Sequence, residues 1–190
     1  MRILTEIRKY NPNVLFLLEN VEMGKKWETV FNKAIGTQGT HINSSLVSAQ
    51  NRKRIYWTNI NDGNIPQPKD KGLFLRDILE DEADEHFFLS EKALKGIELH
   101  KKRNKEKGNG FGTDIRKPSD KSQTIRVGGK GIYDLVWDSR IRRLTPTECT
   151  RLQTIPEWYE WQCSNAQQYK MLGNGWTVEV IKHIFGYMIE

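Results

Sequence analysis

The sequence predicts an α/β fold with a second, smaller and loop-rich domain. Two observations support this: a buried-strand pattern followed by an amphipathic helix near the amino terminus, and a change of composition after residue 60. With 190 residues, of which 37% are hydrophobic, the chain is long enough to form a packed core without disulfides or metals. We therefore expect one main α/β domain and a small companion.

The first predicted strand is the unbroken apolar run at residues 14–18. Such a run is typical of a strand that is buried on both faces of a parallel sheet. Behind it, apolar residues recur at helical spacing over residues 27–35, and Gly36 is placed to end that helix. Two further strands are predicted at residues 42–47 and 55–60. A strand followed by a helix is half of a βαβ unit, which gives the α/β class.

The second domain is predicted from the composition of residues 61–141, where glycine, proline and blocks of charge recur. Two helix starts with the capping-box form follow, at Thr145 and Ser164. Gly173 is placed to end the second of these helices, and a last helix is expected after Thr177. Its predicted apolar stripe consists of Val178, Ile181, Phe185 and Met188. We divide the chain into residues 1–60, 61–163 and 164–190.

The composition excludes several classes of protein. No run of about 18 apolar residues appears, so a spanning helix is not expected. The two cysteines, Cys149 and Cys163, are too few for a disulfide framework or a four-cysteine zinc site. The sequence shows no metal-binding motif. We therefore expect a cytoplasmic protein without a bound metal.

The net charge of +6 is concentrated in residues 92–130, which hold twelve basic and four acidic residues. Residues 77–91, just before, hold seven acidic residues and neither lysine nor arginine. A basic run interleaved with glycine is typical of phosphate contact, because counterion release dominates nucleic-acid affinity. A solvated helix face explains the same charges equally well, and charge alone leaves both interpretations open.

Two polar clusters lie next to the predicted strands. Glu19 follows the first strand, at the end where open α/β sheets bind ligands, although an exposed strand-end acid is the alternative. Arg52 and Arg54 precede an aromatic strand, and alternation sends both side chains to one side. Two guanidinium groups there could converge on one anionic or carbonyl-bearing ligand, whereas a solvated basic turn is the alternative.

A third cluster precedes the last predicted helix. Two glycines flank Asn174, which allows close approach of a ligand to the backbone, and Trp176 offers a flat face for stacking. A plain linker between two helices, with a core tryptophan, is the alternative.

Taken in order, these clusters resemble the motifs of the DNA cytosine-5 methyltransferases. That family has a Glu-Asn-Val tripeptide after a strand, as at residues 19–21, and a Gln-x-Arg-x-Arg segment, as at residues 50–54. Its Arg-x-Leu-Thr-x-x-Glu-x-x-Arg-Leu-Gln-x-x-Pro segment is similar to residues 142–156, and its Gly-Asn motif is similar to residues 173–174. The chain resembles the carboxyl-terminal half of a phage or bacterial member.

The resemblance implies a fold and a division of labour. Residues 1–60 would be the C-terminal part of a Rossmann-like sheet that binds S-adenosylmethionine. Residues 61–163 would be the target-recognition domain, and residues 164–190 would return to the catalytic domain. In this family the target cytosine leaves the duplex, since its carbon 5 cannot be reached in the stack.

The resemblance also implies roles for individual residues. Glu19 would hold ring nitrogen 3 and the exocyclic amine, Arg54 would contact the ring carbonyl, and Arg52 would support their loop. The resemblance also implies that Asn174, Gly175 and Trp176 line part of a site for S-adenosylmethionine. The Thr-Ile pair that begins at Thr124 resembles a recognition-domain motif. The residues expected to contact double-stranded DNA are Lys101, Lys102, Arg103, Thr124, Arg126 and Lys130.

Two family motifs have no counterpart in the sequence. The Pro-Cys loop and the Phe-x-Gly-x-Gly turn lie upstream of Glu-Asn-Val in the family, but the 18 residues before Glu19 contain neither Cys nor Gly. We therefore expect no methyl transfer by the chain alone, and a partner that carries the Pro-Cys loop. A non-catalytic DNA-binding remnant and a regulatory partner of an intact methyltransferase are the alternatives. A bacterial or phage origin with association to the nucleoid is expected.

Overall fold

In the computed structural model, residues 2–108, 114–126 and 135–188 are described. The helices among them are α1 (Arg2–Tyr10), α2 (Lys25–Ile35), α3 (Glu91–Glu106), α4 (Pro146–Leu152), α5 (Asn165–Asn174) and α6 (Val178–Gly186). The strands are β1 (Leu17–Val21), β2 (Thr40–Asn43), β3 (Lys53–Thr58), β4 (Ile115–Arg116), β5 (Leu135–Asp138) and β6 (Arg140–Arg143). This mixture of helices and strands has the predicted α/β character.

The first sheet has the order β1-β3-β2, and both of its pairings are antiparallel. Glu19 lies opposite Tyr56, and Val21 lies opposite Arg54. Because side chains alternate along a strand, Glu19, Tyr56 and Arg54 share one face of the sheet. The sheet thus brings together residues that are more than thirty positions apart in the sequence.

The interpretation of residues 14–18 as a strand buried on both faces is wrong. The strand begins three residues later, at Leu17, and Glu19 lies in its middle rather than after its end. Leu15 is 48% exposed, and Leu17 and Leu18 are only half-buried. The physical reason is that β1 is an edge strand, which among the described residues pairs only with β3.

Helix α2 is confirmed, and the strand predicted after it is only partly right. The helix ends at Gly36, which has a φ of 85° and donates its N–H to Asn32 O. Strand β2 ends at Asn43, because the Asn43 side chain accepts the N–H of Ser45 and starts a helical turn at Ser44–Leu46. The sequence pattern alone continued this strand to residue 47.

The second sheet has the order β4-β5-β6 and was not predicted. Its largest fully buried members include Leu135 and Arg142, and Val136 joins the main apolar cluster. That cluster draws residues from all along the chain, namely Ala49, Leu75, Ile78, Ile125, Val136, Leu144, Cys149, Leu152 and Leu172. A second cluster joins β2 and β3 to α6 through Ile42, Val47, Tyr56, Ile60, Ile65, Val180, Ile181 and Ile184.

The two predicted capping boxes are confirmed, but two details of the carboxyl-terminal helices are not. Helix α5 runs past Gly173 and ends at Asn174. The face of α6 that is buried consists of Val180, Ile181 and Ile184, whereas two residues of the predicted stripe, Phe185 and Met188, are 41% and 47% exposed. The predicted stripe therefore runs along the side of the helix, partly open to solvent. Among the described helices, none combines the length and apolar composition that a membrane crossing requires.

The start of α4 is fixed by a fully buried ion pair. Both oxygens of Glu148 accept from the Arg142 guanidinium, at 2.9 and 2.8 Å, and neither side chain is exposed. Glu148 also accepts the backbone N–H of Thr145 at 2.8 Å and that of Glu80 at 2.9 Å. One carboxylate therefore joins β6, the helix start and the loop at residue 80.

We predict that Glu148→Ala lowers the free energy of unfolding by about 3–5 kcal/mol, because it leaves the Arg142 charge buried without its counterion. Urea denaturation measures this. Glu85→Ala is the matched control, since Glu85 forms an ion pair with Arg140 that is mostly exposed to water, and it should change stability by no more than about 1 kcal/mol. Equal losses in both variants would contradict the prediction.

Candidate active site

The carboxylate of Glu19 and the guanidinium of Arg54 face each other across β1 and β3. Glu19 Oε1 lies 2.7 Å from Arg54 Nε, and the two side chains are only 18% and 13% exposed. Their diagonal positions in the antiparallel ladder place them on the same face, close enough for an ion pair. Arg54 Nη1 also donates to Lys53 O at 2.8 Å.

Arg52 turns to different partners from Arg54. It is 3% exposed, and its guanidinium donates to three backbone carbonyls, those of Ile125 at 3.4 Å, Gly173 at 3.3 Å and Gly175 at 2.8 Å. Burial, and then the charge of Arg54, lower the pKa of Arg52 to about 10, so it keeps its proton at neutral pH. Arg52 therefore links β3 to the loop that precedes α6.

The loop that carries Arg52 and leads into β3 is held from the other side by residues 121–125. Lys121 Nζ donates to Ser45 O at 2.6 Å and to Leu73 O at 2.8 Å. Thr124 Oγ1 donates to Asn51 O at 2.7 Å, and Gln50 Oε1 accepts the N–H of Ile125. Sequence reasoning missed Lys121, because its carbonyl partners are about fifty to seventy-five positions away.

Tyr56 forms the floor behind the Glu19–Arg54 pair. Its side chain is 2% exposed and lies opposite Glu19 in the ladder. Burial raises the pKa of the Tyr56 hydroxyl, and the neighbouring Glu19 carboxylate raises it further. The hydroxyl therefore stays protonated and neutral under the two charged side chains.

The residues predicted for the cofactor side lie at the end of α5 and just after it. Asn174 is exposed and ends α5, while Gly175 is the capping residue. Trp176 is 45% exposed and lines an apolar groove of about 700 Å³ along α6. The other lining residues are Val178, Ile181, Lys182, Phe185 and Gly186. A flat ring with apolar walls fits one side of a nucleoside such as that of S-adenosylmethionine.

The residues predicted to contact DNA lie on two segments that Asp114 connects. Lys101, Lys102 and Arg103 are exposed on α3, a helix with no buried residue. Asp114 accepts from Lys101 Nζ at 3.1 Å and from Gln123 Nε2 at 3.3 Å, which brings α3 towards the Thr124 segment. Arg126 is exposed at the end of that segment. Lys130 lies outside the described residues, as do Gly128 and Gly129.

The two cysteines are not part of this arrangement. Cys149 is buried in the main apolar cluster, and Cys163 is half-buried just before α5. Within the part of the chain that the structure describes, no group of three or more His, Cys, Asp or Glu side chains is arranged to hold a metal ion.

The family profile of the C-5 cytosine-specific DNA methylases matches residues 1–190. The chain therefore belongs to the C-5 cytosine-specific DNA methylase family, as the order of its motifs predicted. Two curated bacterial relatives agree. The type II methyltransferase M.HpaII of Haemophilus parainfluenzae is 31% identical over 93% of this chain and 60% of its own length. The type II methyltransferase M1.ScrFI of Lactococcus lactis subsp. cremoris is 30% identical over 97% of this chain. The alignment covers 53% of M1.ScrFI, so the chain spans little more than half of either relative.

Solved structures confirm the fold class. The Entamoeba histolytica methyltransferase EhMeth aligns with a TM-score of 0.70 over 98% of this chain and 67% of its own, at 16% identity. The S. pombe Dnmt2 methyltransferase aligns with a TM-score of 0.66 over 97% of this chain and 70% of its own, at 19% identity. At these identities the likeness supports the shared α/β methyltransferase fold alone.

We predict that Arg52→Lys lowers the free energy of unfolding by about 1–3 kcal/mol, because a single ammonium group cannot reach all the carbonyls that the guanidinium satisfies. Urea denaturation of the purified chain measures the loss. The control is Arg140→Lys, since Arg140 is mostly exposed, and it should leave stability within about 0.5 kcal/mol of the parent. A stable Arg52→Lys chain would show that the carbonyl contacts are dispensable.

Proposed function

We propose that this chain forms the cytosine-binding wall and one side of the cofactor pocket of a DNA (cytosine-5)-methyltransferase. The observation that carries the proposal is the Glu19–Arg54 pair, which presents an acceptor and a donor side by side in a largely shielded position. An everted cytosine offers the complementary edge, with an amine and ring nitrogen 3 next to a carbonyl oxygen. Glu19 would face the amine and nitrogen 3, and Arg54 would face the carbonyl.

Both side chains would act on charge that develops during the reaction. When a thiolate adds to carbon 6, negative charge moves towards nitrogen 3 and the carbonyl oxygen of the ring. Nitrogen 3 takes up a proton, and the resulting N–H would donate to the Glu19 carboxylate together with the amine. Arg54, a donor already aimed at the carbonyl oxygen, would contribute about 3 kcal/mol, because it needs no reorganisation. Among the described contacts, none uses Nη2 of Arg54 or Oε2 of Glu19. These two atoms are therefore available to the base, while Arg52 and Tyr56 keep the pair in place.

We propose that the attacking cysteine comes from an amino-terminal methyltransferase half that pairs with the open edge of β1. Two observations support this partner. The chain matches 60% of M.HpaII and 53% of M1.ScrFI. At the edge strand β1, the apolar side chains of Leu15, just before the strand, and Val21, its last residue, are about half exposed. An unpaired apolar edge is a surface on which another strand can add.

The cofactor would be shared between this chain and its partner. S-adenosylmethionine supplies the activated methyl group when it is bound. On this chain, the Trp176 ring and the apolar walls of the α6 groove would bind one face of it, and Asn174 would donate a hydrogen bond from its exposed amide. The site on this chain is therefore partial.

The basic residues of α3 would contact the phosphate backbone of double-stranded DNA. Lys101, Lys102 and Arg103 are exposed, and α3 buries none of its residues, so these charges are open to a large polyanion. Thr124 and Arg126, by contrast, lie beside the loop of the site arginines and would face the DNA near the target base. With DNA as its substrate, the working enzyme would be associated with the bacterial nucleoid.

We predict that the chain alone transfers no methyl group, and that adding an amino-terminal half of a relative with its Pro-Cys loop restores transfer to DNA. In the restored mixture, Glu19→Gln should lower the rate about 100-fold, because one preorganised charge partner of the ring is weakened. Incorporation of labelled methyl from S-adenosylmethionine into DNA measures both. Glu22→Gln is the matched control, since Glu22 lies three residues on and bonds only His41 among the described contacts.

Three outcomes of this experiment would count against the proposal. Methyl incorporation by the purified chain alone would show that a nucleophile lies within the 190 residues. If the restored mixture transfers methyl groups at the same rate with Glu19→Gln as with the parent, Glu19 has no role in the reaction. Salt-sensitive DNA binding without any restored transfer would favour the DNA-binding remnant instead.

We predict that changing Lys101, Lys102 and Arg103 together to Gln reduces the slope of log K for DNA against log salt by about 3, since each phosphate contact contributes about 0.9. Fluorescence anisotropy with a duplex at several salt concentrations measures this slope. Lys25, Lys26 and Lys33 changed to Gln serve as the control, because they remove the same charge from exposed positions on α2. A parallel loss of slope in the control would show that net charge, and not α3, determines binding.

A further inference from the structure

A buried polar network lies behind the loop of Asn174 and Trp176. Ser44, Gln153 and Thr177 are each 1% exposed, yet they come from three distant segments of the chain. Ser44 Oγ and Thr177 Oγ1 are 2.8 Å apart, and Thr177 Oγ1 donates to Gln153 Oε1 at 3.0 Å. Gln153 Nε2 in turn donates to Leu172 O at 2.5 Å and, at 3.5 Å, to Gly175 O.

The same loop is held on its other side by Arg52. The Gly175 carbonyl accepts from Arg52 Nη2 at 2.8 Å as well as from Gln153, and the Gly173 carbonyl accepts from Arg52 at 3.3 Å. The end of α5 and the short link to α6 are therefore positioned by these two side chains. Arg52 and Gln153 meet at a single carbonyl oxygen.

The Thr177 hydroxyl bonds within this network instead of capping α6. It occupies the N-cap position of α6, but its side chain makes no cap hydrogen bond. Instead, the first free N–H groups of α6 are satisfied by another segment: Val178 N donates to Gln153 O at 2.9 Å, and Glu179 N donates to Thr154 Oγ1 at 2.9 Å. Thr154 holds a φ of 53°, a conformation that threonine rarely adopts.

The buried polar groups and the left-handed Thr154 lower the stability of the fold unless they fix the positions of the segments that they join. Buried hydroxyl and amide groups destabilise a fold unless every one of them is paired, and a left-handed threonine adds strain. An apolar contact would close the same space at less cost. A fully paired network, however, fixes one arrangement of the groups it joins. The groups joined here are the loop before α6 and the arginine that precedes β3.

We propose that Gln153 and Thr177 are positioning residues, which hold the loop of Asn174 and Trp176 in a fixed place relative to Arg52. The cofactor-side loop and the base-side strand β3 then behave as one rigid unit. That these two walls face cofactor and base rests on the proposed function, but the coupling between loop and strand can be measured without it.

The test compares Thr177→Val with Thr177→Ser in the full 190-residue chain. Valine keeps the shape but leaves Gln153 Oε1 and Ser44 Oγ without a partner, whereas serine keeps the hydroxyl. We expect amide hydrogen exchange at residues 175–179 to become about tenfold faster in Thr177→Val, as the loss of a buried hydrogen bond implies. In Thr177→Ser it should stay within about twofold of the parent. The indole N–H resonance of Trp176 should shift only in the valine variant.

Two internal references keep the result specific. The amides of α2 report a helix outside the network and should not change, and Thr29→Val removes a hydroxyl that bonds only within exposed α2, so it should leave residues 175–179 unaffected. Ser44→Ala is the milder variant if Thr177→Val does not fold, because it removes only the outermost member of the network. It should accelerate the same amides without affecting α2.

The proposal is overturned if Thr177→Val or Ser44→Ala leaves exchange at residues 175–179 unchanged, or if it accelerates α2 equally. In the restored enzyme, Thr177→Val should raise KM for S-adenosylmethionine about tenfold, with KM for DNA within about threefold of the parent. A local change in exchange without any restored methylation would leave the positioning role standing and reject the proposed function. A changed KM for DNA alone would overturn the assignment of this loop to the cofactor side.

Discussion

The candidate site depends on the register between β1 and β3. Antiparallel pairing puts Glu19 opposite Tyr56 and Val21 opposite Arg54, and a shift of one residue would send the Glu19 carboxylate to the other face of the sheet. This register is fixed from both sides. Tyr56 is buried in the cluster with α6, whereas Ile55 and Trp57, on the opposite face, are fully buried against Ile35. The apolar packing of β3 thus determines where the charged groups meet.

A second constraint is that residues 122–124 are hydrogen-bonded to the loop that leads into Arg52 and β3. Asn51 N donates to Ser122 O, Ser122 N donates to Ala49 O, and Thr124 bonds to Asn51 O. The first two contacts join backbone to backbone, so they do not depend on the side chains of either segment, and the Thr124 hydroxyl adds a third. A displacement of residues 122–124 would therefore move the loop that leads into Arg52 and β3. In the proposed enzyme, contact with DNA and grip on the base would be mechanically connected.

The elements that local signals define could be predicted from the sequence, and those that depend on distant partners could not. The helix starts at Thr145 and Ser164 were correct, because a capping box involves only four consecutive residues. The strand at residues 14–18 was misplaced, since its burial depends on which strands lie beside it. Thr177 looked like an ordinary N-cap, and only the fold shows that its hydroxyl is used by Gln153, 24 residues away.

The same distinction applies to the candidate site. The motif order pointed to Glu19 and Arg54, and the structure places them 2.7 Å apart, although their roles stay a prediction. The resemblance gave Arg54 and Arg52 different roles, but alternation along the strand sent both to one side, because it says nothing about the carbonyls of Ile125, Gly173 and Gly175. Nor did it reveal Lys121, whose ammonium group holds three loops together.

Helix α3 buries none of its sixteen residues, in contrast to α4, where four of seven are buried. Substitutions on α3 therefore cost the core almost nothing, whereas substitutions in α4 would disturb the Arg142–Glu148 pair and the main apolar cluster. In the proposed enzyme, this helix could therefore change its charge and shape, and with them its contacts to DNA, at little risk to the folding of the chain.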